Sequence, residues 1–171
     1  MKSLYKYDTY IKLLFLVALC YTKKTSGQPP VLPQRAITVY ASQNLNFGLF
    51  YDSDGSGGSV TLDSQGNRTV TGTINTLPSY PGTPALFEIK LCQGRAITIS
   101  YQPTSILTAA NGDEIILEIG PTQKGGNGAV FATENNCNFI TILRVGGTLI
   151  IPPNTKAGIF SGDFEISFDQ Q

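Results

Sequence analysis

Apolar and polar residues alternate along most of this chain with a period of two, the spacing that sends successive side chains to opposite faces of a β-strand. The last stretch is the clearest. Phe160, Gly162, Phe164, Ile166 and Phe168 alternate with Ser161, Asp163, Glu165, Ser167 and Asp169, which predicts one strand over 160–168 with a buried face and a wet face. The same alternation predicts strands around Ile37 and Val39, and through Leu45, Phe47, Leu49 and Tyr51. It recurs at Val60 and Leu62, and at Val70, Gly72 and Ile74. Further on, Ala85, Phe87, Ile89 and Leu91 form one set, Ile97, Ile99 and Tyr101 a second, and Ile115, Leu117 and Ile119 a third. Phe139 to Val145 and Leu149 to Ile151 predict two more strands, divided by Gly146-Gly147.

Turn chemistry separates these segments. Ser64-Gln65-Gly66-Asn67 reads as a hairpin turn, Gln93-Gly94 and Asn111-Gly112 as two more, and Pro152-Pro153-Asn154 as the turn into the last strand. Lys124 to Gly128 reads as a Gly-rich tip. No segment has a helical period with caps. Many short strands divided by Gly, Pro and Asn argue for an all-β, antiparallel β-sandwich, and the expected topology is immunoglobulin-like, with the strand order left open.

The first residues break the pattern. Lys2, Lys6 and Lys12 precede a short apolar run, Leu13 to Leu19, followed by small and polar residues. This describes a secretory signal peptide over 1–27, with cleavage after residue 20 as the alternative. The run is shorter than the roughly 20 residues that a membrane-spanning helix needs. A lipoprotein reading would acylate Cys20, against which Leu19 is large for that position. Residues 28–35, with three prolines, read as an extended arm, and 36–171 as a single domain.

Removing the leader changes the charge. The whole chain has 12 basic and 12 acidic residues, but five of the lysines and only one acid lie in the first 27. The remainder is acidic, net −4, with no basic cluster, so nothing supports a nucleic-acid footprint. The membrane enters only through the leader or a lipidated Cys20. Beyond the leader, the cysteines are Cys92 and Cys137. An even count in an exported chain suggests a disulfide, closing a loop of about 46 residues worth about 4 kcal/mol in the chain-entropy picture.

Candidate chemistry is sparse. There is no His, which removes the usual general base, the Ser–His and Cys–His nucleophile pairs and the commonest transition-metal ligand. Glu88, Glu118 and Glu165 fall on the polar sides of predicted strands and read as solvated faces, so no catalytic residue and no organic cofactor is expected. Asp52 to Asp63 is the sharpest local signal. Asp52, Asp54, Ser56 and Asp63 loosely match a calcium loop, but the flanks read as strands, and a Gly-Ser-Asp turn explains the same residues. Asn67-Arg68-Thr69 matches a glycosylation sequon at a hairpin tip, where Asn is favoured anyway. Tyr51 and Tyr101 share faces with apolar neighbours and read as core, while Tyr40 and Tyr80 read as exposed.

Three pieces carry a family resemblance. Leu45-Asn46-Phe47-Gly48-Leu49-Phe50 is the first; Gly57 to Leu62 followed by Gly66-Asn67-Arg68-Thr69 and Thr71-Gly72 is the second. The third is Gly146-Gly147-Thr148-Leu149 running into Ala157 to Phe164. In that order the chain resembles a family of uncharacterised secreted bacterial domains, a domain of unknown function, itself similar to spore-coat-protein-U-like and archaic chaperone–usher pilin subunits. The resemblance covers nearly all of 35–169. It implies an immunoglobulin-like sandwich at the periplasm or cell surface, with no catalytic residues to carry over. The expected role is a non-catalytic structural or adhesion subunit, pilin-like, whose partners are copies of itself or other surface subunits. The alternative is a binding module for glycans or a surface partner.

Overall fold

A computed structural model describes residues 37–91, 95–134, 136 and 138–171. The leader with Cys20, the arm, Cys92, the Gln93-Gly94 turn and Cys137 lie outside the described residues. Among those described there is no helix, and every strand pairing is antiparallel. The strands, in chain order, are β1 Thr38–Gln43, β2 Phe50–Asp52, β3 Gly58–Leu62, β4 Arg68–Gly72, β5 Ile74–Thr76, β6 Ala85–Lys90 and β7 Ala96–Tyr101. They continue as β8 Thr104–Ala109, β9 Glu114–Thr122, β10 Val130–Ala132, β11 Thr141–Ile151, β12 Phe160–Ser161 and β13 Ile166–Gln170.

The large sheet runs β1-β6-β11-β9-β8-β12 and curls into a half-barrel, and the β3–β4 hairpin joins it on β11. A smaller sheet runs β10-β7-β13, and β2 pairs with β5. The organising strand is β11. Its first half pairs with β6, from Thr141 opposite Ile89 to Val145 opposite Ala85, and its second half pairs with β3, from Gly147 opposite Leu62 to Ile151 opposite Gly58. Its other edge pairs with β9, with a register shift between Val145 and Gly147.

Gly146-Gly147 therefore does not divide two strands, as the sequence pattern predicts; it lies inside one. Both residues are buried where β11 changes partners. A Cβ on Gly146 would collide with the carbonyl oxygen of Leu62, and one on Gly147 would crowd the carbonyl oxygen of Glu118. The glycines admit neighbouring backbone, which is a strand role and not a turn role.

The predicted strand over 160–168 is corrected in the opposite sense. Phe160–Ser161 pairs with β8 in the large sheet, while Ile166–Gln170 pairs with β7 in the small one. Between them the chain changes sheet. A Cβ on Gly162 would crowd Leu107 and the Ile106 carbonyl, and Ser105 Oγ donates to the Asp163 carbonyl at 2.6 Å. A period-2 pattern survives such a crossing because the apolar residues on both sides still face the same core.

That core is one cluster. Val60, Leu62, Ile89, Leu143 and Val145 of the large sheet and Ile97 and Ile99 of the small one are essentially inaccessible. Each such side chain contributes about 1.5–3 kcal/mol through burial. The turns follow the chemistry read from the sequence. In the β3–β4 turn, Asp63 Oδ1 accepts from the N–H groups of Gln65 and Asn67, both at 2.8 Å. In the β8–β9 turn, Asn111 Oδ1 accepts from the Asp113 N–H at 3.0 Å.

Candidate functional site

Three features gather the unusual side chains: an arginine inside a cage of carbonyls, an aspartate-stapled turn, and a half-open apolar seam.

Arg68 opens β4 as the cross-strand partner of the buried Leu62, so it faces inward. Its Nη1 donates to the carbonyls of Phe47 at 2.8 Å, Tyr80 at 3.1 Å and, more weakly, Leu49 at 3.4 Å. Its Nη2 donates to the Leu77 carbonyl at 3.0 Å. A planar fork of donors suits several carbonyls at once. One guanidinium thus ties the segment before β2 to the segment after β5, and backbone bonds between Asn46 and Thr83 at 2.8 and 2.6 Å close the same pair.

The cage explains a second correction. The alternation of Leu45, Phe47, Leu49 and Tyr51 predicts a single buried face, with Tyr51 in the core. Phe47 is buried, but Leu49 is 49% and Tyr51 54% exposed. Gly48 between them has φ +72°, and a Cβ there would collide with the Tyr80 carbonyl. This left-handed residue reverses the facing of the chain, so the register inverts midway. Tyr80 is 58% and Tyr40 62% exposed, as the sequence predicts. Tyr101, expected in the core, is only partly buried against it, and burial raises its phenol pKa.

The Asp52 turn is stapled by its own carboxylates. Asp52 accepts from Thr73 Oγ1 at 2.6 Å, from the N–H groups of Asp54 and Gly55 at 3.3 and 3.1 Å, and from Gly57 N–H at 2.7 Å. Asp54 accepts from the Ser56 N–H at 2.9 Å. The Thr73 hydroxyl above all holds the Asp52 carboxyl below its ordinary pKa, and the Ser56 N–H does the same for Asp54. Asp63 belongs to a different turn, where the Asn67 side chain, at 2.8 Å, chiefly lowers its pKa. The structure therefore brings Asp52, Asp54 and Ser56 together but leaves Asp63 with the β3–β4 hairpin, and the flanking elements are strands. Among the described residues, no three His, Cys, Asp or Glu side chains group so as to hold a metal. Asn67, the sequon residue, has its side-chain amide on Asp63.

The seam lies where the two sheets end. β1 ends the large sheet and β13 the small one. Val39, Phe87, Phe164, Ile166 and Phe168 pack against the core yet stay partly exposed. Phe87 meets Phe164 edge-on, centroids 6.3 Å apart, and Phe168 at 6.0 Å. Glu88 and Glu118 sit on β6 and β9, and Glu165 in the crossing before β13. Ile89 lies opposite Thr141, three residues before Cys92 and four after Cys137. A separate groove of about 370 Å³ is lined by Tyr101, Thr104, Glu118, Gly120 and Thr148 among others.

Sequence reasoning gave Arg68 no role of its own, placing it only within a sequon and a family motif. Its signal was available: a cation alternating with Val70 on the side of a hairpin strand that faces the buried Val60 and Leu62.

An all-β antiparallel domain with stapled turns and sheet-ending strands is the class these features define. The chain belongs to the DUF4402 family, a domain of unknown function whose model matches residues 37–169. No curated protein and no solved structure matches it.

Proposed function

We propose that this chain is an exported, non-catalytic β-sandwich of immunoglobulin-like type, acting as a structural or adhesion subunit at the cell surface or in the periplasm, pilin-like in assembling by strand addition. The observation carrying this reading is the seam: two strands end their sheets beside apolar side chains that the domain itself only half covers. Such an edge accepts an extended strand through backbone hydrogen bonds, with alternate side chains entering the gap. The lysine-led apolar leader supports export. The pairing of Ile89 with Thr141 supports a Cys92–Cys137 disulfide in the exported chain; two titratable thiols in the denatured, unreduced protein would count against it.

The test is to produce the full chain in a secreting host, fractionate the cells, and separate the exported material by size. Export and a ladder of higher-order species are expected. Ala41→Lys, an inward-pointing charge on β1, removes the ladder. A chain retained in the cytosol overturns the export reading, and a ladder indifferent to Ala41→Lys overturns strand addition.

A glycan-binding module is the second reading, favoured by the exposure of Tyr51 on β2 and of Tyr80 on the loop whose carbonyl Arg68 holds. Rigid exposed rings are platforms for the apolar faces of sugars. A glycan array probed with the exported chain and with Tyr51→Ala and Tyr80→Ala checks it: hits lost in either variant support it, and an array without hits removes it.

A further inference from the structure

The outward face of the large sheet carries more apolar surface than a face turned to water requires. Ile106 on β8 pairs with Ile116 on β9, and Ile116 with Ile150 on β11, so three isoleucines stand in one cross-strand row. Ile106 is 57% and Ile116 44% exposed. Acids flank the row on both sides. Glu118 stands with Thr104 and Thr148 in the neighbouring row, and Glu114 stands opposite Thr108. Both glutamates are exposed.

The other end of the same face is apolar with the opposite charge. Ile142 pairs with Glu88, and Glu88 with Tyr40; Tyr40 and Ile140 are exposed. The cations are Lys90, opposite Thr38, and Arg144, opposite Leu86, both exposed. Glu88, half-buried in the middle, subtracts one charge, so this end is net +1 where the isoleucine end is −2. β11 runs through both ends with Gly146 midway, since Ile142 and Ile150 each lie four residues from it.

We propose that this face binds a second copy of itself, the two β11 strands antiparallel, so that the basic end of each copy lies on the acidic end of the other. A two-fold axis crossing β11 at Gly146 sets Ile142 over Ile150 of the second copy, Arg144 beside its Glu118, and Lys90 toward its Glu114. Symmetry repeats every pair, so the contact closes as a dimer. The charges select this occupant and this orientation, because the parallel arrangement sets Glu118 against Glu118 and Arg144 against Arg144. Faces of two twisted sheets pack at a small crossing angle, which the offset of Lys90 and Glu114 to opposite sides of β11 accommodates. The surface lies on the outward face of the large sheet, so it does not depend on strand addition at the seam.

The test is sedimentation velocity on the full exported chain from about 1 to about 100 µM, a range in which contacts worth roughly 6–8 kcal/mol populate. A dimer that weakens as salt rises is expected. Glu114→Lys with Glu118→Lys turns four attractive pairs into repulsive ones and raises the dimer Kd about 30-fold or more. Lys90→Glu with Arg144→Glu does the same. Joining all four substitutions restores the dimer to within about a few-fold of the starting Kd. All four side chains are exposed, so the fold tolerates the changes, and circular dichroism verifies this. Ala41→Lys leaves this dimer intact. A chain that stays monomeric over the whole range overturns the proposal. So does a quadruple variant as weak as either double variant, or a dimer lost with Ala41→Lys but not with the charge reversals.

Discussion

β11 and the loops around Arg68 are held by opposite means. β11 is flanked by strands on both sides, and its inward residues Leu143 and Val145 have no accessible surface. Its order comes from area removed from water, which is non-directional and spread over many contacts. The segments 45–49 and 77–82 bury little beyond Phe47. Their order comes from one guanidinium and a few backbone bonds, all of them directional. The contrast teaches that this domain has a core held by burial and a polar end held by a small number of directional bonds.

Experiments can break or sharpen that contrast. Leu143→Ala should cost the most, about 2–5 kcal/mol, by opening a cavity at the centre of the core. Urea melts read it as a lower midpoint with unchanged slope. Arg68→Leu should cost about 1–3 kcal/mol, since the Phe47 carbonyl loses its guanidinium donor and those of Leu77 and Tyr80 are each left with one backbone N–H. Hydrogen exchange should speed up in 45–51 and 77–82 while β11 amides hold; uniform acceleration would show that the cage is continuous with the core.

Acid should separate the regions next. The carboxyls of Asp52, Asp54 and Asp63 lie below their ordinary values, so each adds stability at pH values above its unfolded pKa. That contribution is lost as pH falls from about 4 toward the lower folded values. Exchange in the turns at 52–57 and 63–67 should therefore rise below about pH 4, before β11 responds. Asp52→Asn should remove most of the pH dependence at the first turn. Tyr51→Ser should change stability least, within about 0.5 kcal/mol, because the ring is largely in solvent. A larger loss in a thermal melt would mean that the ring packs on the cage.

Much of this was legible in the residues themselves. Ala85, Phe87, Ile89 and Leu91 alternate inward as written, as do Ile115, Leu117 and Ile119, because period-2 patterning needs only neighbouring residues to be read. The Asp63 and Asn111 turns were legible for the same reason, their chemistry being local. The failures share a cause. Tyr51 turned outward because Gly48 inverts the chain, and only the Tyr80 carbonyl beside it shows why glycine stands there. Gly146-Gly147 read as a break between two strands because glycine's local meaning is ambiguous until the Leu62 and Glu118 backbones are in place. The calcium reading grouped Asp63 with Asp52 by spacing, whereas β3 carries Asp63 into another turn.

The sequence alone determined that this is an all-β, antiparallel domain, since alternation and turn residues act over a few neighbours. Tertiary structure alone decided that β11 serves β6 with one half and β3 with the other, that the closing segment splits between two sheets, and that Arg68 gathers four carbonyls around it. Those outcomes depend on backbone groups brought close from far along the chain, and a carbonyl oxygen leaves no mark in the identity of the residue that owns it.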